Sequence, residues 1–239
     1  MKNFKYLTLV VLSLAITGCV NCQTRKTVYG NKNVVKKERI AVPFTGVSTS
    51  SSIDVLLSQG DKNSITVEAD ENLHEYIITE IKNGTLNVYT DANIRDAEMK
   101  RVHVTMKDID YVSSSSAGDV IGVTPVKTSS LKVTASSAGD VKLEVYAQTV
   151  DINGSSAGDI SLSGEVDMLD ASLSSAGDLN AYDLKSREAD VSASSSGDAD
   201  IYVTEKLRAR ASSAGSVTYK GNPKNVDASS SSAGGVHSR

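Results

Sequence analysis

The 239-residue sequence predicts an all-β fold, a parallel β-helix with coils of about 19 residues, and three observations carry that reading. A five-residue phrase, Ser-Ser-Ala-Gly-Asp, recurs with its glycines at Gly118, Gly139, Gly158, Gly177, Gly197, Gly215 and Gly234, in steps of 21, 19, 19, 20, 18 and 19 residues. A fixed period of that length marks an array of stacked units. Within each unit apolar and polar residues alternate, as in strands with one buried face. Finally, nine Tyr, two Phe and no Trp, set against abundant Ser, Ala, Val and Asp, suit a thin core of small side chains.

The alternation holds copy by copy. Eight residues before the glycines stand Leu131, Val150, Leu169, Ala189, Leu207 and Val226; six before stand Val133, Ile152, Ala171, Val191, Ala209 and Ala228. Two after come Val120, Val141, Ile160, Leu179, Ala199, Val217 and Val236. Seven before, the residues are charged: Lys132, Asp151, Asp170, Asp190, Arg208 and Asp227. Heptads would need apolar spacings of three and four, and leucine-rich repeats a Leu and Asn ladder; both patterns are absent.

Carried through the phrase, the same parity puts the second Ser and the Gly inside and the first Ser, the Ala and the Asp outside. The phrase is therefore expected to be a corner, with Gly supplying positive φ. Ser137, Ser156, Ser175, Ser195, Ser213 and Ser232 are expected to form an internal hydroxyl ladder. Asp119, Asp140, Asp159, Asp178 and Asp198 are expected to form an outward file whose carboxylates accept backbone N–H groups in the turn. Carboxylates one coil apart, about 4.8 Å, repel by roughly 0.9 kcal/mol per pair in water, which charge-assisted hydrogen bonds offset. A row of Ca²⁺ ions is the alternative, but the Gly-Gly-x-Gly-x-Asp pattern of calcium-binding β-rolls is missing. No metal and no cofactor are expected.

Upstream of the clean repeats, short runs have strand character: Ile40 to Val42, Ile53 to Leu57, Ile65 to Val67, Leu86 to Tyr89 and Val102 to Met106. Turn signals such as Lys82-Asn83-Gly84 separate them. Asn72 to Ile81 is the one stretch with some helical character, weakened by β-branched Ile77, Ile78 and Thr79. Ser50-Ser51-Ser52-Ile53-Asp54 reads as a degenerate copy of the phrase without its glycine, so the array starts early.

The N-terminus addresses location. Lys2 and Lys5 precede the apolar run Leu7 to Ile16, a secretory leader too short to span a bilayer. Leu14-Ala15-Ile16-Thr17-Gly18-Cys19 resembles the bacterial lipobox, which makes Cys19 the acylated first residue of the mature chain and the membrane its partner. The expected organisation is a lipoprotein signal peptide at 1–18, a flexible tether at 19–38 and a β-helix at 39–239. Within the β-helix, coils are irregular over 39–108 and regular over 109–239. An outer-membrane location in the cell envelope follows.

The chain carries 25 Lys and Arg against 29 Asp and Glu, and its net charge of −4 argues against nucleic acid as a partner. Catalytic signals are sparse. His74, His103 and His237 show no metal-ligand spacing, and no Gly-x-Ser-x-Gly elbow is present. Asp198 and Asp200, or Arg208 and Arg210 one coil beyond Asp190, keep open a polysaccharide lyase or hydrolase reading. Tyr182 and Tyr202 share an outward offset, five residues after their glycines; with Arg208 and Arg210 they are the candidate surface for a glycan or protein ligand.

The repeated phrase behind a lipoprotein leader, preceded by Ile53-Asp54-Val55-Leu56-Leu57-Ser58-Gln59-Gly60 and Asn83-Gly84-Thr85-Leu86-Asn87-Val88, resembles the auto-transporter adhesin head domain family common in Bacteroidetes. The resemblance runs from about Arg39 to the C-terminus. It implies a right-handed parallel β-helix, a non-enzymatic adhesive role at the cell envelope and no catalytic residues. The competing expectation is a structural protein that self-associates through its coil ends, where strand edges are unpaired.

Overall fold

The structure is a computed structural model that describes residues 25–239. Its architecture is a β-solenoid of about seven turns with coils about 19 residues apart. The first strands are β1 (Thr27–Tyr29), β2 (Val34–Arg39), β3 (Gly46–Thr49), β4 (Asp54–Gln59) and β5 (Ser64–Asp70). A 3-10 turn at Glu71–Leu73 leads to β6 (Ile77–Lys82), β7 (Thr85–Thr90), β8 (Asn93–Arg95) and β9 (Lys100–Met106). The regular coils hold β10 (Tyr111–Ser114), β11 (Asp119–Gly122), β12 (Val126–Ala135), β13 (Asp140–Gly154), β14 (Asp159–Leu173), β15 (Asp178–Ala193), β16 (Asp198–Ala211), β17 (Ser216–Lys220), β18 (Asn225–Ser230) and β19 (Gly235–Ser238). Among the described residues no helix is long and apolar enough to cross a membrane.

The coils stack in parallel and nearly in register. Val141 pairs with Ile160, Ile160 with Leu179, Leu179 with Ala199, Ala199 with Val217 and Val217 with Val236. Each interior position thereby becomes a column of small apolar side chains, and all but the last member, Val236, are buried. Burying one such side chain contributes roughly 1.5–3 kcal/mol, so a narrow core of many rungs replaces a wide one. In β13 to β16 a single strand runs from one corner to the next. Its alternation breaks once per coil, at Ala147–Thr149 in β13, where the chain bends from one face to the other.

The N-terminal end is built differently, and sequence order there is not spatial order. The coil of β3 and β4 lies between that of β7 and β9 on one side and that of β10 and β11 on the other. Antiparallel strands then close the end: β6 folds back on β7 through Asn83-Gly84, and β5 joins β9 to β2. Asn83 and Gly84 both have positive φ, 52° and 77°, as a two-residue hairpin turn requires.

Two expectations for this end are corrected. The segment 19–38 is not tether throughout, because β1 pairs with β8 and β2 forms a six-residue ladder with β5. Its polar composition reflects an edge strand with four exposed residues, the charged ones being Lys36, Lys37 and Glu38, not lack of structure. Buried Asp70 anchors the connection between these strands, accepting backbone hydrogen bonds from Lys32 N (2.9 Å), Glu98 N (3.0 Å) and Met99 N (3.0 Å). Burial pushes its carboxyl up, but those three donors overcome the effect and hold it below the usual range. Ile40 to Val42 is not a strand; Ile40 is 91% exposed in the link from β2 to β3.

Candidate functional site

The site is best built outward from the corner. In every copy of the phrase the second Ser and the Ala (Ser in one copy) have left-handed backbone, for example Ser137 and Ala138 at φ 52° and 57°, and Ser156 and Ala157 at 53° and 58°. The phrase Gly then donates its N–H to the first Ser carbonyl, as Gly158 does to Ser155 at 3.1 Å. Two left-handed residues closed by this bond form a type I′ turn. Coils also bond across the corner, Ala138 N to Ser156 O (3.2 Å) and Ala157 N to Ser175 O (3.1 Å).

This geometry overturns two expectations. The glycine does not make the bend; the Ser-Ala pair does. The glycine is buried because the preceding coil's backbone lies against it, and a methyl group on Gly158 would stand 2.5 Å from the carbonyl carbon of Ala135. Nor is there an inner hydroxyl ladder: Ser137, Ser156, Ser175, Ser195, Ser213 and Ser232 are all exposed. Period-two parity applies only to extended backbone, and two left-handed residues push the chain outward before it re-enters with Gly. The role expected of side chains is filled by the backbone ladder, apart from buried Ser114 and Thr49, whose hydroxyls bond Gly118 O and Ile53 O. Ser51 and Ser52 repeat the left-handed pair, at φ 63° and 56°, so the degenerate phrase is a true corner.

From this corner, outward residues form columns along the axis. The first after the glycine is the acidic file: Asp119 pairs with Asp140, Asp159 with Asp178 and Asp178 with Asp198, and the file ends at Ser216 and Gly235. The expected bonds within each turn are not its main feature; the one side-chain bond seen runs between coils, Asp159 N to Asp140 Oδ1 at 3.4 Å. Partial burial, with neighbouring carboxylates adding to it, pushes Asp119, Asp159 and Asp178 above the usual carboxylate range. The file borders a groove of about 410 Å³.

Five residues after the glycines lies a second column. Tyr182 and Tyr202 belong to it, and the same count places Lys220 and Arg239 on the next two coils. The structure brings all four together: Lys220 Nζ lies 5.0 Å from the Tyr202 ring centre and 5.5 Å from that of Tyr182, and the Arg239 guanidinium carbon is 5.5 Å from Tyr182. Lys220 and Arg239 were absent from the candidates drawn from sequence, although extending the offset count by two coils identifies them.

Arg208 and Arg210 sit elsewhere, beyond the bend of β16 near Thr204–Lys206. Arg208 lies 3.6 Å from both Asp190 and Asp227, which neutralise it. Arg210 lines a groove of about 680 Å³ formed mainly by the serines before each corner, and its Nη1 donates to Ser229 Oγ at 3.4 Å. These two arginines therefore do not share a surface with the tyrosines.

The remaining titratable groups have structural partners. His103 Nε2 lies 2.6 Å from Glu68 Oε2, with Lys36 3.3 Å from the other carboxylate oxygen, and the histidine contact chiefly holds Glu68 below its usual range. Buried His74 faces Val35 O at 3.1 Å, and burial depresses its pKa. Among the described residues no three His, Cys, Asp or Glu are grouped to hold a metal ion. Cys19 and the leader lie outside the described residues.

A solenoid closed at its N-terminal end, with chemically distinct columns on its outer surface, defines a β-solenoid repeat protein. The chain belongs to the family described as "Putative auto-transporter adhesin, head GIN domain", whose model matches residues 43–223. Similar solved structures support the same fold. A putative adhesin from Bacteroides fragilis NCTC 9343 is 20% identical with a TM-score of 0.81, covering 89% of this chain and 100% of its own. A putative lipid binding protein from Parabacteroides distasonis ATCC 8503 is 24% identical, TM-score 0.73, covering 90% and 100%. A putative adhesin from Parabacteroides merdae ATCC 43184 is 21% identical, TM-score 0.71, covering 90% and 99%. No curated protein matches the chain.

Proposed function

We propose that this protein is a non-enzymatic adhesin of the bacterial cell envelope, held at the outer membrane by lipid on Cys19 and binding a glycan or protein through the outer surface of its solenoid. The family supports the adhesive role. The observation that carries the reading is the column at the fifth position after the corner, where Tyr182 and Tyr202 from successive coils meet at a single cation, Lys220. Aromatic faces with a polar rim are a common binding surface, whereas the serines and alanines repeated elsewhere offer little to discriminate a ligand.

The test is retention of protein-coated beads on bacterial and epithelial cells and on a glycan array. Wild-type beads are expected to be retained, and Tyr182→Ala combined with Tyr202→Ala to weaken retention about tenfold. Undiminished retention by that variant removes the tyrosines from the reading, and no retention on any surface removes adhesion itself. Metabolic labelling with a fatty acid tests the anchor separately: Cys19→Ser is expected to abolish the label.

A second reading, a self-associating envelope protein, is favoured by the last coil. β18 pairs with β16 on one side, carries no described strand on the other, and leaves core-position Val226 47% exposed. Concentration-dependent mass in light scattering, abolished by Val226→Lys, supports that reading; constant monomer mass up to about millimolar concentration rejects it.

A further inference from the structure

We infer that the ligand of the tyrosine column is an acidic polysaccharide, a chain of uronate or similarly charged sugars lying along the solenoid axis at its C-terminal end. The inference rests on the adhesin reading and adds the chemistry of its ligand. Charge along the solenoid is segregated. Residues 109–204 contain fifteen acidic and five basic residues, whereas 205–239 contain two acidic and six basic. On the face that follows the corner the switch is abrupt, since the aspartate file stops at Asp198 and gives way to Ser216 and Gly235 on the coils where the fifth-position column becomes Lys220 and Arg239.

The fifth position therefore reads aromatic, aromatic, cation, cation along four consecutive coils; Tyr202 pairs directly with Lys220, while Tyr182 lies in the register shift between Ala181 and Lys185 that sets Lys185 opposite Tyr202. Arg208, beyond the bend of β16, shows what a structurally employed cation looks like here, with acids on both sides. Lys220 and Arg239 instead rest against aromatic rings, contacts worth about 0.5–1 kcal/mol at exposed sites, which a carboxylate-bearing ligand readily displaces. A sugar ring stacked on Tyr182 or Tyr202 brings its carboxylate toward the cations on the adjacent rungs. The acidic file, which reaches Asp178 and Asp198 on the tyrosines' own coils, repels a polyanion along the rest of the face, so the attraction is centred on the two coils of Lys220 and Arg239.

Calorimetric titration with oligogalacturonate tests the inference, with a neutral cello-oligosaccharide and a single-stranded oligonucleotide of equal charge as comparators. Oligogalacturonate is expected to bind more tightly than either comparator and more weakly as salt rises. Lys220→Gln combined with Arg239→Gln is expected to weaken it about tenfold while leaving β-sheet circular dichroism unchanged. Equal binding of the neutral sugar overturns the acidic assignment and leaves adhesion standing. Equal binding of the oligonucleotide reduces the effect to bare charge and overturns it too. A Lys220 and Arg239 variant that keeps wild-type affinity overturns the placement. If oligogalacturonate does not bind but the coated beads are still retained on cells, this inference fails and the adhesin reading does not.

Discussion

At Ser156, Ala157 and Gly158 the division of labour inverts what residue type suggests. The two residues with side chains take the left-handed backbone, and the glycine, which tolerates that backbone best, is used for lack of bulk. Left-handed backbone costs a non-glycine residue about 1–2 kcal/mol, while glycine adds about 0.5–1 kcal/mol of unfolded-state entropy. Ala157→Gly is therefore expected to change stability by no more than about 0.5 kcal/mol, or to raise it slightly. Gly158→Ala forces a methyl group against the backbone of the coil below and is expected to cost about 3 kcal/mol. Urea unfolding of the two variants decides the matter; a glycine serving mainly as the bend would give the opposite order. The sequence shows that a corner exists, because the phrase recurs. It hides which residue bends, because Ser-Ala in left-handed conformation is stabilised by bonds to the neighbouring coil that no local propensity records. Asp70 is similarly illegible: one aspartate among many, it is singled out only by the three N–H groups that converge on it. Asp70→Ala leaves those donors buried without an acceptor and is expected to cost about 1–3 kcal/mol, with limited proteolysis opening the chain near Lys32 first.

Among elements, the repeating parallel strands were legible together with their pairing, whereas β5, β7 and β9 were legible as strands but not in their antiparallel pairing, and β1, β2 and β6 were not legible as strands. β12 to β16 repeat each other in sequence, and stacking like on like needs no further information. β2, β5 and β6 have no counterparts, and their pairing depends on contacts between segments distant in sequence, such as Lys36 with Glu68 and Ser64 with Thr105. The acidic file is an element-scale property too, since no aspartate in it is unusual alone. Carboxyls raised in the folded state bind protons more tightly there than in the unfolded chain, so Asp119, Asp159 and Asp178, joined by Asp170 on the other face, favour folding as they protonate. In a His74→Gln background, which removes the opposing loss below about 6.5 from a buried imidazole of depressed pKa, stability is expected to rise as pH falls from 7 toward the ordinary carboxyl value of about 3.9. Below it the trend reverses, because Glu68 and Asp70, depressed in the folded state, lose their contribution on protonation. Urea midpoints measured between pH 7 and 3 check this, and Asp159→Asn is expected to raise the midpoint at pH 7 and flatten the slope. A midpoint that falls steadily from pH 7 rejects the account.

For the whole molecule, stability is close to a sum over coils and the contacts between adjacent ones. Removing residues 159–177, one period, joins Gly158 to Asp178 and leaves every column in phase. The shortened chain is expected to fold with the same circular dichroism, a lower urea midpoint and unchanged binding at Tyr182 and Tyr202; loss of cooperative unfolding would show that the array is not modular. Most of the fold was readable at this scale because the period is nearly constant, and the candidate surface was half readable because only two of its four column members are aromatic.

The closed N-terminal end, with its antiparallel strands, gives this modularity a direction. A duplicated period inserted among β13 to β16 leaves that end untouched and carries the fifth-position column about 4.8 Å farther from it. The number of corners thus sets the distance between the closed N-terminal end and the tyrosine-bearing surface. Lineages that need longer or shorter reach can adjust it by unequal recombination within the repeated codons, one rung at a time, without redesigning either end.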